Sequence, residues 1–280
     1  MNCCFNILKQ LYFSKYVVLS VFLCIIFLLF FIILGYVNFS SKNNTSIVLR
    51  VGTDGTYPPH SFHSENGKGE LIGFDIDLIK EVANRLNLKT EFFETKTSSL
   101  IFGIDANRYD ILVSVTITKE RQKGYDFSIP YISNSLLLIV RNDEKNINSF
   151  NDLAGKTVAQ IMGTNLFQLA QELKANLIFS GNFEQSLQLL SSGRTNATMI
   201  PDTPFFYFLK KNNIEGNKFK IADRQDNNGY IGFMMLKRNN KLKELIDKTL
   251  CEIRLDGTYE KIFTKYFGKD VSPDLPYCPC

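Results

Sequence analysis

Strand-like and helix-like segments alternate along this chain from residue 47 to residue 268. The runs "SIVLRVG" and "YDILVSVTI" have the composition of strands, whereas "FDIDLIKEVANRLNL" repeats its apolar residues at helical spacing. Such alternation is typical of α/β proteins, in which helices cover mostly parallel sheets and ligands bind at loops beyond the carboxyl ends of strands. The 280 residues, 45% of them apolar, are enough for one or two domains with buried cores.

The first 46 residues have a different pattern. Residues 17–34 include no charged side chain and follow Lys9 and Lys15, which predicts a hydrophobic membrane-targeting helix that starts on the cytoplasmic side. We therefore expect the rest of the chain to be periplasmic or otherwise extracytoplasmic. The apolar run is longer than a signal-peptide core and is followed by no strong cleavage site, which favours an uncleaved anchor over a released protein.

Charge and cysteine content exclude several classes of function. The net charge of +4 is scattered without a basic block, so nucleic acid is not an expected partner. Export permits disulfides, and Cys251 can pair with Cys278 or Cys280, which leaves one thiol over. Neither these cysteines nor the two histidines have the spacing of a metal site, so we expect no metal and no cofactor.

Polar loops follow four of the predicted strands and carry the candidate site residues. These residues are Asp54, Tyr57, Ser114, Thr116, Arg121, Gly163, Thr164, Asn165 and Asp202. Together they offer a guanidinium, hydroxyls, helix-start amides, carboxylates and an aromatic ring. A free amino acid needs this set, because its α-carboxylate pairs with arginine and helix N-terminal amides while its ammonium needs acceptors.

The ordered segments "GTDGTYPPHSF", "GFDIDLIKEVANRL", "SVTITKER", "DLAGKTVAQIMGT" and "IRLDGTYEKIFTKYFG" resemble the family 3 solute-binding proteins, the periplasmic amino-acid-binding proteins of ABC importers. The chain is most similar to the binders of lysine, arginine and ornithine. The resemblance implies an α/β, type II periplasmic-binding-protein fold: two lobes, each a mostly parallel sheet flanked by helices, preceded by an N-terminal hydrophobic helix.

The resemblance also implies how the chain is divided. Residues 1–46 would form the membrane anchor or signal segment with its linker. Residues 47–138 and 231–274 would form a discontinuous first lobe, residues 139–230 the second lobe, and residues 275–280 a tail.

Roles for the candidate residues follow from the same resemblance. Arg121 would bind the α-carboxylate, helped by Thr116 and by the amides of residues 163–165. Ser114 and an acid after the strand "NATMI" would bind the ammonium. This chain has a proline directly after that strand, so Asp202 is displaced by one residue.

The remaining roles concern the ligand side chain. Tyr57 would form one wall, and Asp54 would face a cationic group. Thr97 stands where an aromatic residue is expected as the opposite wall, which predicts a wider or more polar pocket. His60 replaces the usual phenylalanine after the two prolines, where it fills space or adds sensitivity to pH.

We therefore expect a monomer that captures a free amino acid and delivers it to an ABC permease. Asp54, with Glu65 or Asp75 as further acids, favours arginine or lysine over glutamine or a broad polar preference; Asp75 also suits a helix cap. The alternatives are a sensor, a surface protein, or a cleft enzyme of the same fold such as a cyclohexadienyl dehydratase. An enzyme is not expected, because the sequence offers no nucleophile with a paired base.

Overall fold

The computed structural model describes residues 25–32, 47–65, 69–212, 218–268 and 278, apart from the side chains of residues 227 and 228. The chain forms two compact units, Met1–Ser46 and Ile47–Cys280. In the first unit, residues 25–32 are helical (α1). Within the described ranges, no helix combines the length and the apolar character needed to cross a membrane. The rest of the predicted membrane segment, and the predicted tail apart from Cys278, lie outside the described residues.

The second unit alternates strands and helices, which confirms the predicted α/β class. Its strands are β1 (Val48–Thr53), β2 (Thr56–Tyr57), β3 (Ser61–His63), β4 (Leu71–Ile72), β5 (Lys89–Glu94), β6 (Ile111–Thr116), β7 (Tyr125–Phe127), β8 (Ile132–Arg141), β9 (Thr157–Ile161), β10 (Asn176–Ser180), β11 (Ala197–Pro201) and β12 (Phe219–Leu236). Its helices are α2 (Phe74–Arg85), α3 (Thr97–Asp105), α4 (Lys119–Gly124), α5 (Asn165–Glu172), α6 (Phe183–Ser191), α7 (Asp202–Lys211), α8 (Asn240–Leu255) and α9 (Thr258–Phe267), with a short 3-10 helix at Phe150–Leu153.

Two parallel groups of strands are joined by an antiparallel pair. In the described residues the main sheet runs β10-β9-β11-β8-β12-β6-β1-β5, and β7 also pairs with β12. β1 is parallel to β5 and β6, and β9 is parallel to β10 and β11. The long strands β8 and β12 pair antiparallel between the two groups. The lobe boundaries predicted at residues 138 and 231 fall within these two strands and stay a prediction.

Each parallel group has an apolar core on both faces, because successive strand residues point to opposite sides. In β6, Val113 and Leu112 belong to two different buried clusters, and in β11 Met199 and Ile200 also belong to two different clusters. Continuous apolar runs of this kind are typical of strands covered by helices on both sides. The sheet therefore fixes the loops at its strand ends on a rigid support.

Gly73 allows α2 to start directly against the loop that carries His60. Its φ is +137°, and a Cβ there would lie 2.1 Å from the His60 carbonyl oxygen. The amide of Phe74 donates to the Pro59 carbonyl (2.9 Å), and that of Asp75 to the His60 carbonyl (3.0 Å). Glycine therefore joins the helix to the loop at this position.

We expect Gly73→Ala to lower the free energy of unfolding by about 2 kcal/mol or more, because the added carbon collides with backbone. The matched control is Gly155→Ala, where φ is +72° and a Cβ would meet nothing within 4 Å. Gly155→Ala should lower the free energy of unfolding only by the cost of an alanine in the left-handed region, about 1 kcal/mol. Urea unfolding of both variants checks this, and equal losses would contradict the steric account.

Candidate functional site

A cavity of about 110 Å³ opens where β1, β6, β9 and β11 end, as predicted for an α/β sheet. One water occupies about 10–15 Å³ by this measure, so the cavity admits a ligand of several heavy atoms. Eight of the nine candidate residues line it: Asp54, Tyr57, Ser114, Thr116, Arg121, Gly163, Thr164 and Asn165. Their individual roles stay predictions.

Arg121 supplies the cationic side chain of the cavity lining. It lies in α4, which Thr118 caps by accepting a hydrogen bond from the Arg121 amide (3.2 Å). The guanidinium Nη1 donates to the Thr116 carbonyl at 2.9 Å. Burial lowers the pKa of Arg121. Among the described residues no carboxylate forms an ion pair with it, so its charge is available to a ligand anion.

Asp54 supplies an anionic side chain on the same lining. Its Oδ2 accepts a hydrogen bond from the Thr97 hydroxyl (2.7 Å), and its Oδ1 accepts one from the Thr56 amide (3.1 Å). Burial raises the pKa of Asp54; these hydrogen bonds oppose the rise, and the charge of Glu94 adds to it. In the described part of the chain no lysine or arginine pairs with Asp54, so a carboxylate faces the cavity without a counter-ion.

The start of α5 lines the same cavity. Thr164 caps the helix, since its hydroxyl accepts from the Phe167 amide at 3.1 Å and donates to the Ile161 carbonyl at 2.8 Å. Gly163 has a φ of +83°, and a Cβ there would lie 3.1 Å from the Ser98 backbone. The first amides of a helix lack partners within the helix and favour anions. The predicted helix start at residues 163–165 is confirmed.

An aromatic wall is built from Tyr57 and Phe183. Their ring centroids are 5.3 Å apart, and the Tyr57 ring also stacks on His60 at 4.6 Å. Burial, followed by the charges of Asp75, Asp202 and Asp54, raises the pKa of Tyr57 well above its usual value. The tyrosine therefore stays neutral, and its ring can pack on a ligand side chain.

Asp202 is the candidate residue that is not part of the cavity lining. Pro201 lines the cavity in its place, and Asp202 begins α7. Burial raises the pKa of Asp202, while hydrogen bonds and the Arg224 guanidinium, 3.8 Å away, lower it. The contact of Asp202 with the ligand ammonium stays a prediction. Arg224 already partly neutralises the charge of the Asp202 carboxylate.

Several lining residues were missed in the sequence. They are Thr53, Asn134, Ser135, Asn182, Phe183 and Gly229, among others. Asn182 and Phe183 had a readable signal, because "GNFEQS" follows a strand and Asn182 caps α6 by accepting from the Gln185 amide at 2.8 Å. The long strands β8 and β12 carry Asn134, Ser135 and Gly229. These three residues do not follow the end of a strand, so the sequence contained no signal that they line a cavity.

Three contacts connect β3 and its flanking residues to α7, all at residues outside the cavity lining. Glu65 and Lys211 form an ion pair at 2.5 Å. The rings of Phe62 and Tyr207 lie 5.6 Å apart. His60 Nε2 lies 3.0 Å from Thr203 Oγ1.

Residues 49–269 match the model of the bacterial extracellular solute-binding proteins, family 3. The chain belongs to this family. Membership makes it an amino-acid-binding protein of an ABC transporter, with a free amino acid as ligand and a permease as partner. It also places the binding unit outside the cytoplasm. The resemblance inferred from the motifs, and the type II periplasmic-binding-protein fold that it implied, are thereby confirmed.

Two family relatives illustrate the range of ligands. The L-cystine-binding protein TcyA of Bacillus subtilis (strain 168) is 32% identical over 225 residues, which cover 80% of this chain and 83% of TcyA. The histidine-binding periplasmic protein of Escherichia coli (strain K12) is 33% identical over 233 residues, 80% of this chain and 88% of the relative.

Among solved structures of the family, an ancestral arginine-binding protein bound to arginine superposes with a TM-score of 0.72 at 35% identity, over 79% of this chain and 98% of the other. The same ancestral protein bound to glutamine superposes equally well. Relatives at similar distance therefore carry different ligands, and the ligand of this chain has to be argued from its own cavity.

Proposed function

We propose that this protein captures an amino acid with a cationic side chain, arginine or lysine, and delivers it to its permease. The observation that carries the proposal is the pair of opposite charges, Arg121 and Asp54, that line one cavity without an ion-pair partner among the described residues. A buried charge is costly unless it is paired, so a ligand that supplies both counter-charges gains most. Arginine and lysine carry an α-carboxylate for Arg121 and a distal cation for Asp54.

The same charges argue against cystine, the ligand in the name of one relative. Cystine carries two carboxylates, and Arg121 is the one lysine or arginine among the lining residues that the structure describes. The second ammonium of cystine can pair with Asp54, but the second carboxylate beside it meets no further lysine or arginine among the described lining residues and is repelled by Asp54. Glutamine leaves Asp54 without a counter-ion, which supports a lower affinity for it.

Thermal unfolding of the full chain in mild detergent, with each of the twenty amino acids and cystine, tests the proposal. Ligand binding to the native state raises the unfolding midpoint. We expect the largest rises with arginine and lysine. A larger rise with cystine or glutamine would overturn the cationic assignment, and no rise with any ligand would overturn amino-acid capture by this cavity.

We also propose that the ligand is bound without chemical change. His60 lies within hydrogen-bond distance of Thr203 (3.0 Å) and of Asp75 (3.2 Å). Nucleophilic enzymes use this order of hydroxyl, base and carboxylate. This arrangement was not predicted from the sequence. Thr203 is not part of the cavity lining and the His60 side chain is 0% exposed, which supports a structural role. Turnover of a cyclic dienyl acid or of the bound amino acid would contradict it.

Anchoring through the N-terminal segment and a monomeric state stay predictions.

The raised pKa of Asp54 makes the selectivity depend on pH. Binding of a cation favours the ionised carboxylate, so protons compete with arginine once the pH falls toward the pKa of the free protein. Because burial raises that pKa, the loss begins at a higher pH than for an ordinary aspartate. We expect arginine affinity to fall as the pH is lowered from neutrality toward this raised pKa, with glutamine affinity nearly constant. Calorimetric titrations at several pH values check this, and parallel losses for both ligands would contradict it.

A further inference from the structure

Ser114 has an unusual backbone for a strand residue. Its φ is +60°, in the left-handed region that non-glycine residues rarely adopt. The register between β6 and β12 shifts here, because Gly232 pairs with Val115 and Met234 with Leu112. Two residues of β6, Val113 and Ser114, therefore lie opposite Phe233 in a β-bulge. Bulges beside functional sites redirect a side chain.

The bulge turns Ser114 toward a buried carboxylate. Ser114 Oγ donates to Asp75 Oδ2 at 2.5 Å, and the Ser114 amide donates to the Tyr131 hydroxyl at 3.1 Å. Tyr131 in turn donates to Asp75 Oδ2 at 3.0 Å. The fourth group is His60, whose Nδ1 lies 3.2 Å from Asp75 Oδ1. Asp75 is 0% exposed and reaches the cavity through Ser114.

The protons in this cluster can be assigned from its hydrogen bonds. Tyr131 receives the Ser114 amide, so its own proton is directed to Asp75, and the proton of the Ser114 hydroxyl is directed there too. A serine hydroxyl has one proton and two lone pairs. Because the Ser114 hydroxyl donates its proton to the hydrogen bond with Asp75, Ser114 Oγ has only lone pairs to offer a ligand in the cavity. Such an oxygen accepts from a ligand N–H group, and the negative charge behind it favours a cation.

The acid expected for the ligand ammonium, Asp202, is outside the cavity lining, and Arg224 lies 3.8 Å from its carboxylate. Asp75 has no lysine or arginine partner among the described residues, and its basic neighbour is His60 at 3.2 Å.

We propose that Asp75 is a positioning residue for the ligand α-ammonium, which it stabilises through Ser114 Oγ. This inference rests on the proposed function, that the cavity holds a free amino acid. Asp75 holds the Ser114 hydroxyl as an acceptor and supplies the counter-charge from beneath the cavity wall. The ligand ammonium therefore contacts the neutral Ser114 oxygen at the cavity wall, and the Asp75 carboxylate lies one hydrogen bond behind that oxygen.

The test compares arginine with des-amino arginine, in which hydrogen replaces the α-ammonium, by calorimetric titration of the full chain in mild detergent. Asp75→Asn keeps the shape of the side chain and removes its charge. We expect it to weaken arginine binding about tenfold or more, since hydrogen bonds to charged groups are the stronger ones. Des-amino arginine should change by less than about threefold, because it lacks the group on which Asp75 acts.

The matched control is Asp77→Asn in the same helix. Asp77 binds Lys265 Nζ at 2.6 Å and the Tyr266 hydroxyl at 2.7 Å, and it does not line the cavity. Its replacement should leave both affinities unchanged. Ser114→Ala removes the acceptor oxygen but keeps the bonds of Asp75 to Tyr131 and His60, and it should repeat the selective loss. If Asp75→Asn does not fold, Ser114→Ala still tests the acceptor oxygen through which Asp75 is inferred to act, and unchanged arginine affinity there overturns the inference.

The outcomes separate this inference from the function beneath it. Equal losses of affinity for both ligands in Asp75→Asn would show that Asp75 has only a structural role and would overturn the inference. Unchanged arginine affinity in a folded Asp75→Asn or Ser114→Ala protein would overturn it too. Both results leave wild-type binding, and hence the proposed function, intact. Wild-type protein that binds no free amino acid would overturn the proposed function itself. If wild type binds another amino acid better, that ligand and its des-amino form replace the arginine pair.

Discussion

Arg121→Ala is expected to weaken the binding of every amino acid more than about a hundredfold, close to 3 kcal/mol. The guanidinium has one hydrogen bond, to the Thr116 carbonyl, and no carboxylate partner in the described chain, so the ligand α-carboxylate is its missing counter-ion. Removing it leaves that carboxylate desolvated and unpaired in the cavity. The loss should not depend on the ligand side chain, because all amino acids share the carboxylate.

The unliganded protein should respond in the opposite way. Burial lowers the pKa of Arg121, which means that the free protein holds this charge at a cost. We therefore expect the unfolding midpoint of Arg121→Ala without ligand to equal or exceed that of wild type, while the ligand-induced rise disappears. The matched control is Arg50→Ala, because Arg50 pairs with Asp110 at 2.6 Å and lies away from the cavity lining. Wild-type affinity in Arg121→Ala would remove the basis for carboxylate recognition at this position.

Asp54→Asn is expected to weaken arginine and lysine about thirtyfold, near 2 kcal/mol, and glutamine by less than about threefold. The difference arises because the carboxylate matters only when the ligand carries a distal cation. Glutamine also measures any damage that the substitution does to the hydrogen bonds from Thr97 and Thr56. Calorimetric titration with the three ligands gives the comparison.

The control for Asp54 is Asp143→Asn, an aspartate with an 83% exposed side chain near Arg141. It should change none of the three affinities. Equal losses of glutamine and arginine in Asp54→Asn would show that Asp54 shapes the loop and does not select a cation. The pH dependence of arginine binding should vanish in the same variant, which links the two observations.

Local patterns were enough to predict much of this molecule. Alternating apolar periods predicted the α/β class, and the Gly-Thr-Asn turn after "TVAQI" predicted the start of α5 where the structure has it. Arg121 and Asp54 were found because they follow strand-like runs directly. Loops at the carboxyl ends of parallel strands meet at one edge, so sequence order was sufficient to bring these residues together.

The remaining features depend on contacts between distant segments. Asp75 is separated by 39 residues from Ser114 and by 56 from Tyr131, and no local signal distinguished its buried cluster from a helix cap. The bulge at Ser114 is a property of the pairing between β6 and β12. Phe183 was not found because its place beside Tyr57 depends on a helix from another part of the chain, which packs its first residue against the Tyr57 ring.

The ion pair of Glu65 with Lys211 and the ring contact of Phe62 with Tyr207 join the β3 segment to α7 without lining the cavity. Substitutions in these two pairs therefore change how firmly the β3 segment and α7 hold together and leave every lining side chain in place. The strength of this connection and the choice of ligand can accordingly vary independently of each other.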